Sequence, residues 1–168
     1  LLIALIPAGL FAFFASHLPR VAAGSVVEQN LPWVPEMGVA LSFRLDGLSL
    51  LFALVVTGIG LLVVIYSSGY MTHYENQGRF YLFLLAFLSS MLGLVLSDNL
   101  LALFLFWELT SITSYLLIGF ENHKPEARSA ALQAFLVTGG GGLALLGGMI
   151  LLGMAGGSYE ISDLVAAG

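Results

Sequence analysis

The sequence contains no cysteine, which excludes disulfides and thiolate metal sites and leaves no clue to redox compartment. Charge is also scarce: 9% of residues are charged, five Lys and Arg against ten Asp and Glu. Five basic residues make no patch for nucleic acid. The acids are scattered through short loops instead of forming a tail, so the net charge of −5 points to no partner. No repeat with a period of roughly 20–50 residues is visible, and no polar linker divides the chain. There is no initiator Met: the chain opens on Leu-Leu-Ile-Ala-Leu, already inside an apolar run, with no basic residue before it as a secretory signal would have. It closes on Asp163-Leu-Val-Ala-Ala-Gly168. Both ends read as cuts in a longer protein, so residues 1–168 are expected to be one incomplete membrane domain.

What is present is apolar. Hydrophobic residues make up 59% of the chain, and its mean hydropathy is +1.00. Soluble domains are about 45–50% apolar and about 25% charged. A chain of this balance cannot hide its apolar surface in a small globule, which excludes a soluble enzyme and predicts an all-α integral membrane protein. A spanning helix needs about 20 mostly apolar residues, and five segments supply them: 1–16, 48–67, 80–97, 100–120 and about 130–154.

Ser97-Asp98-Asn99 is enough for a tight reversal between the third and fourth spans, with Asp98 or Asn99 capping the next helix. Five spans place 68–79 and 121–129 on one side of the membrane, and 17–47 and 97–99 on the other. Arg79, Lys124 and Arg128 against Arg20 and Arg44 make the first side cytoplasmic by the positive-inside rule. The one sizeable extramembrane piece holds Pro35-Glu-Met-Gly38, a turn signal, followed by the alternating Val39-Ala-Leu-Ser-Phe-Arg-Leu45. It predicts a short β-hairpin over about 25–45 lying on the outer face of the helices. Asp46-Gly47 then ends the strand and caps the second span.

The fourth span reads Phe104-Leu-Phe-Trp-Glu-Leu-Thr-Ser-Ile-Thr-Ser-Tyr115, and Glu108 has no basic residue nearer in sequence than Lys124. At 1.5 Å per residue it falls within about 3 Å of the bilayer midplane. An acid there costs roughly 2.5–3.5 kcal/mol, and the surrounding Leu, Ile and Phe each return about 0.3–0.6 kcal/mol. The helix can therefore insert, although nothing local rewards the acid. Desolvation favours the neutral carboxylic acid, and a nearby cation or entering water favours the carboxylate. An acid that can be switched in this way suits a proton relay. The plainer alternative is a protonated acid hydrogen-bonded to a neighbouring helix.

Phe104, Glu108, Ser111 and Tyr115 share one helical face. Its hydroxyls either order water leading from Glu108 toward the 121–129 loop, where His123 could hand on protons, or bond carbonyls one turn back. The fifth span carries Gln133, then Thr138-Gly-Gly-Gly-Gly-Leu143, with Gly140, Ala144 and Gly148 spaced at four. This stripe predicts close helix packing, and the four glycines could bend the helix beside Glu108. No GK[ST] follows them, which excludes a phosphate loop. His17, His73 and His123 fall in separate loops at the membrane edges without ligand spacing, so neither a metal centre nor a cofactor is expected.

Several stretches then read together: Trp33-Val-Pro-Glu-Met-Gly38, Phe43-Arg-Leu-Asp-Gly-Leu-Ser-Leu-Leu-Phe52, Tyr66-Ser-Ser-Gly-Tyr70, Leu96-Ser-Asp-Asn-Leu100, Phe106-Trp-Glu-Leu-Thr-Ser111 and Ser114-Tyr-Leu-Leu-Ile-Gly119. In order and spacing they resemble the A-type subunits of the Mrp-type multisubunit Na+/H+ antiporter family. Those subunits are homologous to the large antiporter-like subunit (subunit 5 type) of respiratory complex I. Leu-Thr-Ser after Trp107-Glu108 is more similar to the Mrp branch, since glycine-rich and Cys-containing residues usually follow in the complex I branch.

The resemblance implies that the chain runs from the family's second transmembrane helix through its sixth. Glu108 then matches the family's key glutamate, whose lysine partner lies on a later helix beyond Gly168. Where complex I relatives carry a lysine, an arginine and an aspartate, this chain has Gln133, Gly139 and Gly142. The resemblance also implies a multi-pass cell-membrane protein with the 121–129 end cytoplasmic, and a component of a secondary transporter, not an enzyme. Its partners would be the other subunits of an antiporter complex, the lipid bilayer, protons and Na+. The alternatives are a proton-translocating subunit of an NADH:quinone oxidoreductase-type complex, or a purely structural subunit.

Overall fold

The computed structural model describes residues 2–34, 39–74 and 76–167. Five helices are long and apolar enough to cross a membrane, and a two-stranded antiparallel hairpin lies between the first two. The turn expected at Pro35-Glu-Met-Gly38 lies outside the described residues. The first span, Leu2–Ala22, contains α1 (Leu5–Ser16) and α2 (Leu18–Ala22). The sequence expectation ended this span at Ser16, but the structure adds α2. Pro19 does not stop it, because it sits in the first turn of α2, where no backbone N–H is needed.

Strands β1 (Val27–Val34) and β2 (Val39–Leu45) pair from Val27 opposite Leu45 to Pro32 opposite Ala40, and the register shifts between Pro32 and Val34. Proline has no N–H to offer a ladder, which fits a bulge at that point. Arg44 Nη1 donates to Glu28 Oε1 at 2.8 Å across the pair.

Helix α3 (Gly47–Tyr70) starts where the sequence places it. Asp46 accepts from the N–H groups of Leu48 and Ser49, and Ser49 Oγ accepts from Asp46 N–H, a capping box. After α4 (Gln77–Leu96), the reversal at 97–99 leads into α5 (Leu100–Ile118). Asn99 caps α5 through Leu101 N–H and Ala102 N–H. Helix α6 (Pro125–Gly156) begins earlier than expected, on a proline at its first turn, and the glycine run neither bends it out of helix nor unwinds it. It ends at Gly157, whose φ of 73° is the left-handed conformation that a side chain disfavours. A short α7 (Ile161–Ala167), absent from the sequence expectation, follows.

The long helices pack in chain order, with α3 between the first span and α4, and α5 between α4 and α6. Phe14, Leu45, Leu50, Ala53, Leu88 and Leu92 form the core that joins α1, β2, α3 and α4. Leu48, Leu51, Val55, Ile59 and Leu62 on α3 remain exposed. In water such a surface would drive association, whereas it suits lipid or the apolar faces of other membrane helices.

Candidate functional site

Asn99 fixes where α5 begins, and so places Glu108 next to the middle residue of this 19-residue helix. The face carrying Glu108 meets α6 in antiparallel register. A Cβ added at Gly142 would collide with Glu108 Oε1. One heptad toward the other end, the Tyr115 and Phe135 rings lie 5.4 Å apart. A Cβ at Gly119 would come 3.3 Å from the Cβ of Ala131. Glu108, Tyr115 and Gly119 thus face Gly142, Phe135 and Ala131. Glu108 Oε1 is the one buried side-chain polar atom without a hydrogen-bond partner among the described residues. In an interior where most buried polar groups are paired, such an atom needs an explanation beyond folding.

The hydroxyls around it look after themselves. Thr110 Oγ1 donates to Trp107 C=O at 2.7 Å, Ser111 Oγ to Trp107 C=O at 3.3 Å, and Thr113 Oγ1 to Leu109 C=O at 2.7 Å. Ser111 is buried on the Glu108 face, and Tyr115 is 37% exposed. Tyr115 borders a recess of about 340 Å³ with Arg79, Asn122 and Arg128. His123 is exposed and borders a second recess of about 260 Å³, which shares Arg79 and Asn122 with the first. The structure therefore brings Glu108, Ser111 and Tyr115 onto one face and leaves His123 apart, in the loop beyond Asn122.

That loop is well tied. Arg79 Nη2 donates to Phe120 C=O at 3.0 Å, and its guanidinium lies 5.4 Å from the Phe120 ring centroid. Lys124 Nζ donates to Glu121 at 2.8 Å, and Tyr74 Oη donates to the same carboxylate at 3.4 Å. The Lys124 hydrogen bond holds the Glu121 carboxyl below its usual range, and the same bond raises Lys124. Tyr74 is pushed up to about 12, first by a hydrogen bond with Tyr70 and then by the charge on Glu121.

The small-residue stripe turns out elsewhere than the α5 interface. Gly140, Ala144 and Gly148 are exposed, and the two glycines have nothing within 4 Å of an added Cβ. Gly140 and Ala144 stand two positions from Gly142, on the far side of a helix that turns about 100° per residue. Spacing alone gave the period of a small face, but not which face meets a neighbour.

Sequence reasoning also missed a polar cluster at the opposite membrane edge. Glu160 Oε1 accepts from Ser42 Oγ at 2.9 Å and from Asn99 Nδ2 at 3.0 Å. The Asp98 carboxylate accepts from Ser162 N–H at 3.0 Å and Ser162 Oγ at 2.7 Å. Bridges pair Phe43 with Ser97 and Asn99 with Glu160. The local signals for this cluster were the capping candidates Asp98 and Asn99, whose partners lie far away in sequence. Among the described residues no three His, Asp or Glu side chains gather as a metal-ligand set.

Residues 33–81 match the family model described as "NADH-Ubiquinone oxidoreductase (complex I), chain 5 N-terminus", and residues 97–168 match "NADH:quinone oxidoreductase/Mrp antiporter, TM". The chain is 48% identical, over 96% of its length, to the A1 subunit of a Na(+)/H(+) antiporter of Staphylococcus haemolyticus, of which it covers 20%. It is 46% identical, over 94% of its length, to the A/B subunit of a probable K(+)/H(+) antiporter of Rhizobium meliloti, of which it covers 16%. It therefore spans about a fifth or less of the length of these relatives. In three dimensions it is similar to a chain of the Mrp complex from Dietzia sp. DQ12-45-1b, with a TM-score of 0.80 at 33% identity, covering 93% of this chain and 17% of that one. Matched in both halves and along the fold, the chain belongs to the family of multi-pass membrane subunits shared by the Mrp antiporters and NADH:quinone oxidoreductase.

Proposed function

We propose that this chain forms part of one subunit of a multisubunit monovalent cation/proton antiporter, in which Glu108 carries protons across the middle of the membrane in exchange for Na+. The observation that carries this reading is the Glu108 carboxyl, seated in mid-helix with a buried, unpartnered oxygen. A structural acid would have a partner, because an unsatisfied buried polar group costs about 1–3 kcal/mol and more if charged. An acid kept for exchange leaves its oxygen free to take a proton or to face a cation.

In this reading Glu108 passes on a proton when a cation, a lysine on a later helix of the full subunit, comes within reach. The proton then leaves along the Ser111–Tyr115 face to the recess lined by Arg79 and Arg128, next to the second recess that His123 borders. The hydroxyls must let go of their own-helix carbonyls, or water must enter, for that path to conduct. The recess is cytoplasmic, the membrane is the cell membrane, and the partners are the other subunits of the antiporter complex. The role is transport, not catalysis.

A second reading keeps the relay but drops Na+: a proton-translocating subunit of an NADH:quinone oxidoreductase-type complex. It is favoured by the shared family description of residues 97–168.

The test is Glu108→Gln in the complete complex, reconstituted in vesicles. Gln keeps the shape, and the carboxyl it replaces has an oxygen without a partner, so assembly is expected to survive. Cation-driven proton flux is expected to fall by about 100-fold or more, as for loss of an essential acid. Flux at the wild-type rate overturns the relay and leaves a structural role. Proton flux that needs no alkali cation decides for the second reading.

A further inference from the structure

In the glycine run on α6, Gly139 is half-buried and Gly140 and Gly141 are exposed, and a Cβ added at any of these three would meet nothing within 4 Å. Gly142 is the exception: it is buried, and a Cβ there would run into Glu108 Oε1, with the Glu108 carboxyl carbon 3.2 Å away. The same Oε1 has no hydrogen-bond partner. These two observations are independent, one of volume and one of polarity, and they meet at a single point. The acid occupies the volume that any side chain other than hydrogen would fill on the facing helix.

We propose that Gly142 is a positioning residue for Glu108: its missing side chain forms a one-carboxyl notch in α6 that sets how far the acid reaches from α5. This deepens the relay reading and rests on it for its functional consequence, though the notch itself is a statement about geometry. Oε1 is the far end of a flexible side chain, so α5 and α6 can accept a methyl at Gly142 by moving the carboxyl without separating. Ala is also the better helix former. The variant Gly142→Ala should therefore assemble normally and displace only the acid.

In the complete complex, Gly142→Ala is expected to slow exchange by about 10- to 100-fold, the scale of a displacement near 1 Å at a reacting group. Gly141→Ala, whose methyl enters open space, is expected to stay at the wild-type rate. Glu108→Asp shortens the acid by one methylene, so Gly142→Ala should cost little further when added to Glu108→Asp. The position of the acid is read separately by dicyclohexylcarbodiimide modification of Glu108, followed by mass spectrometry. Gly142→Ala should raise the labelling rate by expelling the carboxyl from its notch.

Unchanged labelling in Gly142→Ala overturns the notch, whatever happens to exchange. So does a loss of exchange of the same size in the Glu108→Asp background, which marks an ordinary packing contact. Faster labelling with undiminished exchange upholds the notch and counts against the relay. Should Gly142→Ala fail to assemble, Glu108→Ala/Gly142→Ala must assemble as Glu108→Ala does; if it does not, the obstacle lies elsewhere and the notch is overturned.

Discussion

Two polar sites of this molecule treat their carboxylates in opposite ways. At the membrane edge, Asp46, Asp98 and Glu160 are each held by two or more hydrogen bonds, from helix N–H groups, serines or the buried Asn99 side chain. In the membrane interior, Glu108 has an oxygen that touches a glycine and bonds to nothing. A satisfied carboxylate is committed to one geometry and stabilises the fold. An unsatisfied one costs stability and keeps its bonding capacity for something that arrives. The contrast sets the hydrogen-bonded carboxylates of the edge apart from the one on which the proposed relay rests.

Asn99→Ala should strain the comparison most. It removes the cap of α5 and leaves Glu160 short of a donor, a loss of about 2–4 kcal/mol. We expect a clearly lowered melting temperature for the purified complex, with exchange per assembled complex close to wild type. Glu108→Gln should do the reverse. If Asn99→Ala also abolishes exchange in complexes that still assemble, the edge is not merely scaffold.

A smaller effect is expected at Asp46. Its carboxyl is held below the usual value of 3.8, chiefly by the hydrogen bond from Ser49 N–H and further by those from Ser49 Oγ and Leu48 N–H. A depressed acid contributes its full stabilisation above its unfolded value and loses it as pH falls through the folded one. The cap should therefore persist throughout the neutral range and weaken only below about pH 3.8. Asp46→Ala should cost about 1 kcal/mol at pH 7. Asp46→Asn should keep most of the cap and lose that acid dependence, as melting curves at pH 7 and pH 3 would show.

The smallest effect belongs to the exposed loop pair. Glu121→Gln should not measurably move the melting temperature, because exposed ion pairs are screened and contribute little. It should bring Tyr74 part of the way back from about 12, since the Tyr70 hydrogen bond, the larger cause, remains. Ultraviolet titration against a Tyr74→Phe control would read the shift.

Much of the architecture was legible because its causes are local. Spans follow from runs of apolar residues, the α3 start from Asp46 and Ser49, and the hairpin from the alternation in 39–45. The acid at position 108 was visible from its place in the apolar run alone. Helix α7 was not, since seven residues carry little periodic signal and Asp98 supports its first turn from far away in sequence. The Gly140, Ala144 and Gly148 stripe faces away from α5, and its spacing did not say which neighbour it would meet, because the glycines offer small faces in nearly every direction. Ser111 did fall on the Glu108 face, while His123 sits in a loop whose course the helix spacing does not govern.

By itself, then, the sequence determined that the chain crosses a membrane five times with an acid at mid-depth in the fourth crossing. Hydrophobic transfer and helix rise act residue by residue and need no partner. Only the tertiary structure decided that the carboxyl of that acid lies in the space of Gly142's absent side chain, and that Asn99, Glu160 and Ser42 close one edge of the bundle. Those outcomes depend on how two helices are rotated against each other and on contacts between distant residues, and no local pattern encodes either.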